Sequence, residues 1–192
     1  MANKDAANGF KPVMHLNGSP YNGQSRLYFS TADNLFMGDL VIVAADPVLH
    51  TNGGVYREVD RGATGDRIYG VVVGWEVNPT ALGNLYHAAS STYGVHIADA
   101  DDLIFEAQSN DATMVKTDVG LNVDFVVAAG STATGLSNME INGSTAAATN
   151  TLDLILLEMV ARPDNDTSDS VASQRFLVKL NKSGWVDQLV GV

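Results

Sequence analysis

The stretch Ile68-Tyr-Gly-Val-Val-Val-Gly-Trp-Glu-Val-Asn-Pro79 decides the fold class. Three consecutive valines, with Ile68 before them, Trp75 after them and Asn78-Pro79 closing the run, form the pattern of a β-strand buried on both faces. A second apolar run of similar length, Leu152-Asp-Leu-Ile-Leu-Leu-Glu-Met-Val-Ala-Arg-Pro163, also ends in proline, and Pro163 lies 84 positions after Pro79.

Further matches follow at nearly the same spacing. Asp39-Leu-Val-Ile-Val-Ala-Ala45 aligns with Val123-Asp-Phe-Val-Val-Ala-Ala129 at an offset of 84, and Arg57-Glu-Val-Asp60 with Met139-Glu-Ile-Asn142 at 82. Tyr93-Gly-Val-His-Ile97 aligns with Phe176-Leu-Val-Lys-Leu180 at 83. The same elements in the same order imply a duplication. The expected fold is all-β, with two pseudo-repeated small β-barrel or sandwich halves preceded by an extended N-terminal arm. The boundaries read as arm 1–25, first half 26–110 and second half 111–192, with one compact domain as the alternative.

Composition agrees with a turn-rich globular chain. Hydrophobic residues make up 45% of the 192 positions and charged residues 17%, with 18 glycines. That is too apolar for disorder throughout. A net charge of −11 repels polyanions and argues against nucleic acid as the main partner. With no cysteine, neither disulfides nor thiolate chemistry are available. The N-terminal sequence has no apolar core of a signal peptide, and no run reaches the roughly 18 apolar residues of a membrane span. The expectation is a soluble protein with no membrane partner.

The first 25 residues are broken by Gly9, Pro12, Gly18, Pro20 and Gly23, yet carry the apolar anchors Phe10, Val13, Met14, Leu16 and Tyr21. Through Ser30 the segment is +2 while the remainder is −13. Docking on a neighbouring subunit and folding back on its own domain both fit. Between Thr80 and Ser91 the spacing of Leu82, Leu85 and Tyr86 fits a short helix or a loop.

Catalytic patterns are lacking. His15, His50, His87 and His96 fall in unrelated segments with no metal-ligand spacing, and neither a nucleophile elbow nor a phosphate-binding glycine loop occurs. No enzyme and no cofactor are expected. Asp99-Ala-Asp-Asp102 and Asp164-Asn-Asp-Thr-Ser-Asp169 contain cation-type ligands, but read more simply as solvated turns.

Pro12-Val-Met-His-Leu-Asn-Gly-Ser-Pro-Tyr-Asn-Gly-Gln24, Asp66-Arg-Ile-Tyr-Gly-Val-Val-Val-Gly-Trp75, Ile97-Ala-Asp-Ala-Asp-Asp-Leu-Ile-Phe-Glu-Ala-Gln108 and Val119-Gly-Leu-Asn-Val-Asp-Phe-Val-Val127 resemble structural proteins of tailed-bacteriophage virions. The resemblance spans most of the chain and points to the capsid decoration, or cement, proteins that stabilise heads. It implies a non-enzymatic protein made in the host cytoplasm and bound to the outer capsid surface. Its partners would be the major capsid protein and other copies of itself, as a dimer or trimer. The implied capsid-binding candidates in the arm are Phe10, Lys11, Pro12, Val13, His15, Leu16, Pro20 and Tyr21. Alternatives are a head–tail or tail-tube component, or a glycan-binding virion protein using Trp75, Tyr69 and Glu76.

Overall fold

The computed structural model describes residues 3–50, 53–111 and 113–185. Among them eleven β-strands form: β1 (Lys11–His15), β2 (Arg26–Tyr28), β3 (Leu40–Leu49), β4 (Val55–Arg61), β5 (Gly70–Trp75), β6 (Val95–Ala98), β7 (Leu103–Gln108), β8 (Asn122–Val126), β9 (Glu140–Ala147), β10 (Leu154–Met159) and β11 (Arg175–Leu180). The fold is all-β. The only helical element among the described residues is one 3-10 turn at Lys116–Asp118, and the segment after Pro79 consists of turns.

The strands make a five-stranded sheet in the order β2-β6-β5-β3-β4 and a six-stranded sheet in the order β1-β7-β11-β10-β8-β9. Without β1, the second order repeats the first, with β7 to β11 standing where β2 to β6 stand. The sequence matches fall on corresponding strands: β3 with β8, β4 with β9, β5 with β10 and β6 with β11. β7, placed in the first half by a boundary at 110, instead opens the second sheet. The repeats therefore run from β2 to β6 and from β7 to β11.

Finer features recur as well. The register of β5 against β6 slips between Val72 and Gly74, and that of β10 against β11 slips between Leu156 and Glu158. Such bulges sharpen local twist and help a short sheet curl. Each sheet also joins its first strand to its third through a parallel bridge, Phe29 to Glu58 and Ser109 to Ile141.

Side-chain alternation divides the core. Tyr28, Leu35, Val41, Val59, Val72, Val95 and Ile97 fill the first repeat. Leu40, Ile68, Val71 and Ala98 point the other way and join Phe105, Phe125, Leu154, Phe176 and Val178 in a larger cluster that fills the second repeat. Successive residues of β5 thus enter different cores, which is why its sequence is continuously apolar. Burying a valine side chain stabilises by roughly 1.5–3 kcal/mol, so Val71 and Val72 help hold both repeats together.

Two buried carboxylates brace the junction. Asp39, fully buried, accepts a hydrogen bond from the Phe36 amide at 2.9 Å. Burial pushes its pKa up to about 6, although the Ser137 and Phe36 hydrogen bonds and the Arg61 charge act in the opposite sense. Asp153 accepts from the Gly65 amide at 2.9 Å and lies 3.2 Å from the Lys182 ammonium.

Candidate functional site

The arm is built into the body. Asn3 exchanges hydrogen bonds with the Asp166 backbone, and the Ala6 amide donates to Gln108 Oε1 at 3.2 Å. Phe10 is completely buried, its ring edge-on to Phe125 at 6.2 Å. β1 then pairs antiparallel with β7, Lys11 opposite Glu106 and His15 opposite Leu103. Pro12 has no amide hydrogen to donate, and β1 is an edge strand, where such a residue is tolerated. Of the two readings of the arm, folding back on its own chain is the one observed, because Phe10 and β1 bury apolar surface and pair backbone there.

Beyond β1 the chain reverses tightly. The His15 amide donates to the Ser19 carbonyl at 2.8 Å, and the Tyr21 amide to Val13 at 3.0 Å. Asn17 caps the turn by accepting from the Ser19 amide at 2.9 Å. Leu16 is left 58% exposed at its tip, beside exposed Pro20. His15 Nδ1 lies 3.0 Å from Asp102 Oδ1, and that hydrogen bond holds the imidazole pKa above its ordinary value. Tyr21 is half-buried, and burial raises its pKa.

Phe10, Lys11, Pro12 and Tyr21 converge with Met37, Val73 and Leu136 on a largely apolar groove of about 530 Å³. The groove therefore gathers half of the arm candidates. Val13, His15, Leu16 and Pro20 do not line it. Met37 and Leu136 escaped the sequence reading because a lone apolar residue in a turn has no periodicity to mark it.

Below the arm lies a charged cleft of about 380 Å³ lined by Lys11, Glu106, Arg162, Asp164 and Arg175. Glu106 receives Arg162 bidentately at 2.7 and 3.0 Å, and Arg175 approaches within 3.6 Å. This cleft has a cationic excess on an otherwise acidic chain, and its chemistry is that of docking an acidic group.

The glycan-type trio does not converge. Tyr69 packs edge-on against Trp185 at 5.2 Å, whereas Trp75 packs on the first-repeat core. Glu76 accepts from the Gly94 amide at 2.7 Å. The cavity beside Trp75 and Glu76 holds about 90 Å³, below the ~300 Å³ at which small-molecule pockets begin. The acidic segments are tie points: Asp99 accepts from the Tyr28 hydroxyl at 2.6 Å, Asp102 faces His15, and Asp169 accepts from the Lys116 amide at 2.9 Å. Among the described residues no three histidines or carboxylates gather as a metal site.

The site is thus a surface of an all-β duplicated protein, with a groove, a cationic cleft and a projecting turn around one strand. No family model, no curated protein and no solved structure matches the chain. No helix among the described residues is long and apolar enough to cross a membrane.

Proposed function

We propose that the protein is a non-enzymatic capsid decoration protein of a tailed-bacteriophage particle. It binds the outer surface of the head and bridges major capsid subunits. Shell failure under DNA pressure begins where those subunits separate, so contacts spanning the seam resist it. Many copies make modest individual contacts effective, since release requires several to fail together.

The observation that carries the reading is the position of β1. This one strand supplies a wall of the apolar groove and leads into the turn bearing Leu16, 58% exposed. Because β1 is already paired to β7, the binding surface is prebuilt and loses little conformational entropy on docking.

Co-sedimentation with expanded heads lacking a decoration protein tests the reading. Point variants are the right probes, since removal of residues 1–22 also removes Phe10 and β1. Full-length protein is expected to saturate the heads, and Leu16→Asp and Lys11→Glu to bind at least about tenfold more weakly. Full-length protein that stays in the supernatant overturns decoration and moves a head–tail, tail-tube or glycan-binding role ahead.

A further inference from the structure

The two repeats share a backbone device that is covered in one and bare in the other. In the first repeat, Gly38 donates to the Val72 carbonyl at 2.9 Å, Val72 donates back to Asp39 at 2.9 Å, and Asp39 donates to Phe36 at 3.0 Å. In the second, Gly120 donates to Leu156 at 2.9 Å, Leu156 donates back to Leu121 at 3.0 Å, and Leu121 donates to Asp118 at 2.9 Å. Met37 therefore corresponds to Val119.

Met37 is engaged. Its amide donates to Gly135 and its carbonyl accepts from Ser137, both at 2.9 Å, forming a parallel bridge to Leu136. The covering segment is the connection between β8 and β9. Val119 has no such cover: its amide makes only a 3.4 Å contact with Lys116, and its carbonyl accepts nothing among the described residues. Its side chain is 37% exposed.

The connection in the first repeat that corresponds to the covering segment is the end of the β3–β4 hairpin. There Leu49 and Val55 face each other across the ladder, 71% and 67% exposed. The chain thus contains one completed junction and both unused halves of a second. Exposed apolar strand ends and unpaired backbone are costly to leave bare.

We infer that the β3–β4 hairpin end of one copy docks on the Val119 edge of another copy, repeating between chains the contact made within each chain by Met37 and Leu136. Such a contact is heterologous, so copies join head to tail into a ring or an open row. The inference rests on the duplicated fold and is independent of capsid binding.

Sedimentation velocity of the full chain, without heads, tests it. Two variants each block one surface: Leu49→Lys with Val55→Lys, and Val119→Asp, with Val119→Lys as a second edge variant. All these positions are exposed, and circular dichroism checks that the fold is retained. The wild type is expected to sediment as two or more chains and each variant as a monomer. Mixing the hairpin and edge variants restores a 1:1 dimer that grows no further, because each partner keeps one blocked surface. A wild type that is monomeric at its highest soluble concentration, variants that retain the wild-type mass, or a mixture that stays monomeric each overturns the inference.

Discussion

Gly38 and Gly120 hold the same backbone conformation, φ = 94° in both, at the same point of the two repeats. Their surroundings differ. A Cβ on Gly38 would lie 2.6 Å from the Asn8 carbonyl oxygen, whereas one on Gly120 would meet nothing within 4 Å. The arm passes over the first repeat's turn and leaves the second open.

Replacing these glycines separates backbone strain from packing. Gly120→Ala is expected to cost about 1–2 kcal/mol, the left-handed conformation alone. Gly38→Ala carries the same strain and must also displace backbone, so the expected cost is about 3 kcal/mol or more. Urea unfolding of both variants checks the difference; equal costs would show that the arm does not press on Gly38.

Phe10 anchors the arm in the shared core. Phe10→Ala is expected to destabilise the protein by about 3–5 kcal/mol, through the lost packing against Phe125 and the cavity left behind. If the arm were a loose tail, the same substitution would barely move the unfolding midpoint.

Asp39 makes stability depend on pH. Its pKa rises from 3.8 to about 6 on folding, so the folded state holds the proton more tightly. Its contribution is full below pH 3.8 and is lost as pH rises through about 6. The difference corresponds to roughly 3 kcal/mol at neutral pH. Asp39→Asn is expected to flatten the stability curve across this window and to raise the melting temperature at pH 7. Parallel wild-type and variant curves would place the titration elsewhere.

The His15–Asp102 pair acts near neutrality. Because the hydrogen bond raises the folded pKa above 6.5, the pair's contribution is complete below pH 6.5 and fades as pH rises through the folded value. An NMR titration of His15 should give a midpoint above 6.5 that falls back in Asp102→Asn. An unchanged midpoint would mean that Asp102 does not hold the imidazole.

The strands and their duplication were legible because they depend on local signals. The valine run of β5, its echo in β10 and the matched pairs at offsets of 82 to 84 all reflect period-two burial, which short windows capture. The glycine at the head of β3 and of β8, in Gly38-Asp-Leu-Val41 and Gly120-Leu-Asn-Val123, was also visible as a repeated turn signal. Met37, Val119 and Leu136 were not. Each is a single apolar residue in a polar turn, and only the opposing segment gives it meaning.

The sequence by itself determined an all-β chain with two copies of one strand order, since alternation, glycine and proline act over a few residues. Tertiary structure alone decided that β7 opens the second sheet, that Phe10 and β1 lie on their own chain, and which turn remains bare. A strand's pattern says which face is buried and not which neighbour it pairs with; that choice depends on the surfaces left open once the rest of the chain has packed.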